Sequence, residues 1–166
     1  GNLGRPQNIP FVIECLRAAV HVPDAFFVIC GSGTEYGKLQ TFVEAEKYSN
    51  FLLLSGLPRA DYDKLVRSCH VGLLFLDHRF TIPNFPSRLL SYLQAGLPVI
   101  ACTDPATDIG DIAQAGGFGW KCPSDDPAAF VRTVERACSA DLAAMGDAGR
   151  RYFSAHYTAE QRFSVP

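Results

Sequence analysis

The residues best suited to chemistry stand in one stretch, DHRFTIPNFPSRLLSYLQAG, residues 77–96. A loop of about ten residues feeds straight into a helical pattern, and loops of that length inside compact domains often carry function. A helix start presents main-chain N–H groups and about half a positive charge, which suits an anion. That field is worth roughly 0.3–2 kcal/mol to a nearby phosphate. Ser87 adds a hydroxyl, and Arg88 adds a planar guanidinium that matches phosphate oxygens. Arg88, Ser91, Tyr92 and Ala95 share one face at helical spacing, while Leu89, Leu90, Leu93 and Leu97 supply the apolar side. The competing reading is a capped helix with a structural role.

Three other turns follow apolar runs or open the chain. GNLGRPQN (1–8) carries two glycines that let the main chain approach a ligand, and Arg5 offers a fork of donors. A surface loop with a solvated arginine accounts for it equally. GSGTEYG (31–37) invites a phosphate-cradle reading, but its spacing is G-x-G-x-x-x-G and no acidic residue ends the next strand. A plain turn before a helix fits as well. GLPRADYD (56–63) is the fourth. Of four histidines, His21 and His156 lie at helix ends, His70 precedes a strand, and His78 alone sits in the long loop. No G-x-S-x-G occurs and spacing names no catalytic residue. The six cysteines show neither C-x-x-C nor C-x-H spacing, so no zinc site is expected. Four of them fall in apolar runs and read as small buried hydrophobes of a reducing compartment.

These turns need a scaffold. Apolar runs at 25–30, 51–56, 71–76, 98–103 and 118–122 predict strands buried on both faces, as in parallel sheets. Between them helices are expected from Asn8 to Val20, Tyr36 to Lys47, Asp61 to Cys69, Ser87 to Ala95, Asp108 to Ala115, Pro127 to Cys138 and Asp141 to about His156. Asn8 and Pro10 mark the first start, and Gly96 marks a stop. The alternation argues for an α/β fold: a Rossmann-like, doubly wound parallel sheet flanked by helices, with right-handed crossovers. In such sheets ligands bind at the carboxyl ends of the strands, where the four turns lie. The opening segment reads as the turn after a strand, so the first, central strand is expected upstream of Gly1.

At 166 residues the chain is one domain's length, long enough to bury a core without metal or disulfides. Hydrophobic residues make up 48% and charged ones 19%, which excludes disorder. Fifteen Lys and Arg against 17 Asp and Glu leave a net charge of −2, with no overall basic field for a nucleic acid. No apolar run approaches the ~20 residues of a membrane span, and no signal peptide opens the chain.

NFPSRLLSYLQAGLPVIACTD resembles the donor-site helix and following strand of retaining glycosyltransferases of the GT-B fold, the large family-four group. GNLGRPQNIPFVIECL, FFVICGSGTEYGKLQ, FLLLSGLPRADYDKLVRSCHVGLLFL and FGWKCPSDDPAAF resemble further family segments, in order, across essentially the whole chain. The flavour is that of capsule and O-antigen polysaccharide enzymes. The resemblance implies that residues 1–166 form the C-terminal, nucleotide-sugar-binding half of a two-domain enzyme, with the acceptor held by an N-terminal half. It implies a nucleotide-sugar site at Gly4, Arg5, Gln7, Gly33, Asn84, Phe85, Ser87, Arg88 and Ser91, with a uracil-type base near Leu57 and Pro58. UDP- or GDP-linked donors are expected, with a saccharide or lipid-linked acceptor, no nucleic acid and no cofactor. No metal is expected. The implied location is the cytoplasm, with peripheral association at the inner membrane face.

The family pattern is not complete. Pro83 and Ser91 fall where two glutamates usually bind sugar and ribose, Gln7 falls at a usual Lys, and Asn2 at a usual Arg. A subgroup using Arg5, Gln7 and Arg88, a different nucleotide, or a non-catalytic binding module each accommodate this. A sugar-nucleotide epimerase, with Asp77 and His78 as its only candidate acid–base groups, and an NAD-binding domain are further alternatives.

Overall fold

The computed structural model describes residues 1–79 and 86–157. Five parallel strands alternate with seven helices among them. The strands are β1 (Phe27–Cys30), β2 (Phe51–Leu54), β3 (Gly72–Phe75), β4 (Val99–Thr103) and β5 (Gly119–Pro123). The helices are α1 (Ile9–Ala19), α2 (Tyr36–Glu46), α3 (Arg59–Ser68), α4 (Arg88–Ala95), α5 (Ile109–Ala115), α6 (Pro127–Cys138) and α7 (Leu142–His156). This is the α/β architecture of parallel strands and flanking helices that the pattern predicts.

Local chemistry sets the helix ends. The Asn8 side chain accepts from the Phe11 N–H, Asp126 from Ala129 and Asp141 from Ala144, each satisfying a donor that the helix leaves unpaired. Gly96 stops α4 at φ +72°, a conformation that side chains rarely adopt. Helix α3 begins at Arg59, two residues before the expected start, because Pro58 fits the cap position.

Strand β4 organises the core. All five of its residues are buried, and their alternation feeds two apolar clusters. Ile100 and Cys102 join Trp120, Cys122 and the inner faces of α1, α2 and α6. Val99 and Ala101 join Leu89 and Leu93 of α4, Ile109 and Ala113 of α5, and Phe118. Phe118 and Phe130 are fully buried, and each such side chain contributes about 1.5–3 kcal/mol. All six cysteines are free, with Cys15, Cys102 and Cys122 buried, Cys30 and Cys69 half-buried and Cys138 exposed. Burial holds the Cys15 thiol far above its ordinary range, so it stays protonated.

One expectation is corrected. Strand β2 is not covered on both faces: Leu52 is 43% exposed and no residue of the strand is buried. It pairs with β1 alone, at the outside of its ladder. Among the described residues the parallel strands form two ladders, β1–β2 and β3–β4–β5. The opening turn ties them together. Asn2 bridges Ser32 in parallel beyond the end of β1, and the Asp77 N–H beyond β3 donates to the Pro6 carbonyl at 2.8 Å.

Candidate functional site

A cleft of about 810 Å³ opens at the carboxyl ends of β1, β2 and β3. Its floor is the main chain from Cys30 to Ser32 and from Leu74 to Leu76. Helix α3 forms one wall through Arg59, Tyr62 and Asp63. The start of α4 forms the other through Pro86, Ser87, Arg88 and Ser91, and Gln7 reaches in from the opening turn. This is where an open α/β sheet receives a ligand.

Of the residues expected at a nucleotide-sugar site, Gln7, Leu57, Ser87, Arg88 and Ser91 line this cleft together. Gly4, Arg5, Gly33 and Pro58 do not line it. Arg5 is exposed and opens the single 3-10 turn Arg5–Gln7. The Gly4 N–H donates to the Gln7 side-chain oxygen at 2.9 Å, so Gln7 also braces this turn. Gly33 serves a backbone crossing: at φ +154°, a Cβ there would lie 2.5 Å from the Leu3 carbonyl oxygen. Pro58 caps α3. Asn84, Phe85 and Pro83 lie outside the described residues.

Arg88 is the central group. Its Nη2 donates to the Asn2 carbonyl at 2.7 Å, across 86 residues of chain. That bond fixes the guanidinium between the start of α4 and the opening turn, leaving the remaining N–H donors of a five-donor group for a ligand. The Ser87 side chain makes no capping bond to α4. The charged walls are two guanidiniums, Arg59 and Arg88, against the Asp63 carboxylate. Asp63 lies 3.9 Å from Arg59, both well exposed, so this pair is weak. The local balance is therefore positive in a chain whose net charge is negative.

Arg59, Tyr62 and Asp63 lie in the turn-and-helix stretch GLPRADYD, whose spacing alone names none of them as a site residue. Their one available signal is the helical spacing of Arg59, Tyr62 and Asp63 directly after a strand-to-helix turn. Burial raises the Tyr62 hydroxyl above its ordinary range, and the Arg88 charge pulls the other way. Tyr92, expected beside Arg88, packs instead under β3. A Cβ on Gly72 would collide with its ring, and its hydroxyl reaches the Leu73 carbonyl at 3.4 Å.

Asp77 ends β3's extension as a buried carboxylate. It accepts from the Arg79 main-chain N–H at 2.9 Å, from Nε at 3.0 Å and from Nη2 at 2.7 Å. The Arg79 contacts hold its pKa below the ordinary carboxylate range. His78 Nδ1 lies 3.6 Å from the same carboxylate. Neither residue lines the cleft. Among the described residues no group of three or more His, Cys, Asp or Glu comes together as a metal site.

A parallel α/β domain with helices on both faces of its strands and a cationic cleft at the strand ends has the plan of open α/β domains that bind ligands at those ends. The chain belongs to the glycosyl transferases group 1 family, whose model matches residues 1–140. It is 25% identical over 158 residues to a protein of Pseudomonas aeruginosa described as a probable glycosyltransferase, WbjE, covering 95% of this chain and 39% of that one. Among solved structures, the C-terminal domain of the group 1 glycosyl transferase LpcC of Francisella tularensis matches at TM-score 0.75 and 13% identity, over 96% of this chain and 84% of that one. Anabaena HepE, in complex with UDP and glucose, matches at TM-score 0.75 and 16% identity, over 99% and 47%. The chain thus spans about two-fifths of the curated relative's length.

Proposed function

We propose that this chain is the donor-binding half of a glycosyltransferase and that its cleft holds the diphosphate of a nucleotide-sugar. The observation that supports this reading most directly is Arg88, fixed on the Asn2 carbonyl at the start of α4 and facing the cleft. A helix start and a clamped guanidinium present donors where a departing diphosphate gathers negative charge. They stabilise that charge without having to reorganise, which is the economical way to lower a transfer barrier. Arg59 adds a second cation on the opposite wall. Ser91 supplies a neutral hydroxyl near the ribose, in place of a carboxylate. The transfer runs with retention and without a divalent metal.

The acceptor, a saccharide or a lipid-linked sugar, belongs on a second half-domain facing the cleft, in assembly of a cell-surface polysaccharide. The WbjE relative and the HepE complex with UDP support this choice of donor and setting. In this reading the protein works in the cytoplasm against the inner membrane face. No helix among the described residues is long and apolar enough to cross a membrane. Alone, the 166-residue chain binds donor weakly and transfers nothing. Calorimetric titration with UDP, GDP, ADP and NAD tests the proposal. Saturable binding of UDP or GDP is expected, and a chain that takes up none of the four, or prefers NAD, has another function.

A further inference from the structure

Tyr62 stands where the apolar stripe of α3 meets the cleft. Tyr62, Leu65 and Val66 recur at i, i+3 and i+4, on one side of the helix. Val66 is buried, whereas Tyr62 is half-buried and lines the cleft between Arg59 and Asp63 in sequence. A phenylalanine would complete that stripe as well as a tyrosine, so the hydroxyl is the feature that needs a use. A tyrosine hydroxyl drawn out of bulk water usually finds a hydrogen-bond partner. Others in this chain do. Tyr92, one turn along α4 from Arg88, reaches the Leu73 carbonyl at 3.4 Å, and Tyr48 donates to the Glu46 carboxylate at 2.9 Å. Among the described residues the Tyr62 hydroxyl has no hydrogen-bond partner. Burial raises it above its ordinary range, so at neutral pH it keeps its proton and is available as a donor.

The group that stands near it is a cation. The Arg88 charge is felt at the Tyr62 hydroxyl, where it opposes the effect of burial. Arg88 carries donors only, and one of them is spent on the Asn2 carbonyl at 2.7 Å. A guanidinium cannot accept the phenol proton. The adjacent Asp63 carboxylate has Arg59 as its partner, at 3.9 Å. Tyr62 and Arg88 therefore lack the same thing, an acceptor inside the cleft. They approach it from the two walls, α3 and the start of α4. An acceptor that serves donors from both sides needs several lone pairs and negative charge, which phosphate oxygens supply.

We infer that the Tyr62 hydroxyl is a binding group for the diphosphate, donating from the α3 wall to the anion that Arg88 holds from the α4 wall. This inference rests on the nucleotide-sugar reading of the cleft and adds a neutral donor to that site. Such a bond brings no charge of its own, so it selects an oxygen at a defined place, where the arginines attract any anion. The departing diphosphate gathers charge as its bond to the sugar breaks, and a donor already in position strengthens its hold at that moment.

Calorimetry at low salt measures the Kd of UDP for the parent chain, Tyr62→Phe, Arg88→Ala and the double variant, and that of inorganic pyrophosphate by displacement of UDP. GDP replaces UDP where that is the diphosphate taken up. Tyr62→Phe keeps the ring and removes one O–H. It is expected to raise the Kd of UDP about tenfold, and that of pyrophosphate by the same factor, with thermal unfolding unchanged. In the double variant the two losses are expected to depart from simple multiplication, because both donors grip one anion. Unaltered UDP affinity in Tyr62→Phe, with Arg88→Ala still weakened, overturns the inference and leaves the nucleotide reading in place. A loss for UDP with none for pyrophosphate overturns it too, since the hydroxyl would then read the nucleoside. So does a loss of affinity that comes only with a loss of thermal stability, which would give the hydroxyl a structural role. A parent chain that binds neither UDP nor GDP overturns the nucleotide reading itself, and the inference with it.

Discussion

Removing the Arg88 guanidinium is the sharpest perturbation of the cleft, and Arg5 is its natural control. Both arginines were expected at the diphosphate, yet Arg88 lines the cleft and Arg5 does not. A hydrogen bond to a charged group is worth about 1.5–3 kcal/mol. At 1.36 kcal/mol per decade this predicts that Arg88→Ala raises the Kd for UDP roughly 10- to 150-fold. Arg88→Lys keeps the charge but loses the fork that holds Asn2 and ligand together, so it should fall between. Arg5→Ala should leave the Kd within about twofold, because an exposed charge outside the site acts through solvent. Isothermal calorimetry at low salt measures all three, and thermal unfolding checks that each variant is folded. A folded Arg88→Ala chain that binds UDP as well as the parent would refute the reasoning. So would an Arg5→Ala loss as large as that of Arg88→Ala, because it would place the diphosphate outside this cleft.

Ser91→Glu, which puts a carboxylate on the cleft wall beside Arg88, should tighten UDP binding about tenfold through bonds to ribose hydroxyls; equal affinity for UDP and its 2′,3′-dideoxy analogue in this variant would contradict that placement. Gly146→Ala should destabilise although it sits inside helix α7, because a Cβ there runs into the Gly96 carbonyl. Overpacking of that kind costs about 1–3 kcal/mol, against a helix-propensity gain of about 1; a rise in Tm would show that α7 does not seat on the end of α4. Asp77 has its acidity strengthened in the folded chain, so its contribution is present above the ordinary carboxylate pKa and lost as pH falls through the lowered value. Asp77→Asn should therefore lower stability by about 1 kcal/mol at neutral pH, given Arg79's exposure, and flatten the loss of stability in acid, as read from urea unfolding at pH 7 and pH 3.

The parts of the architecture that the sequence discloses are those decided locally. Asn8, Asp126 and Asp141 announce helix starts because their side chains bond the third residue onward, and Gly96 announces a stop because its φ is positive. The same locality explains the misreading of β2. FLLLSG reads as a buried strand since four apolar residues say nothing of whether a neighbour covers them, and Leu52 is exposed. The place of Arg5 is set by a three-residue turn around Pro6 and by the brace from Gln7 to Gly4, neither of which its spacing in the sequence discloses.

Gly33 shows why glycine motifs after strands are ambiguous. A residue with no Cβ admits either a phosphate or another stretch of main chain, and here it admits Leu3. The wall formed by Arg59, Tyr62 and Asp63 could not be seen in advance, because it depends on how α3 leans over the ends of β1 and β2. Arg88 was legible because two independent cues coincide on it: a long loop and a helix start. The structure adds a third, the bond from Arg88 to Asn2, which no spacing rule can supply across 86 residues. That bond joins the helix start to the one segment tying the two ladders together. The cationic wall of the cleft and the junction between the two ladders are thus held by the same side chain.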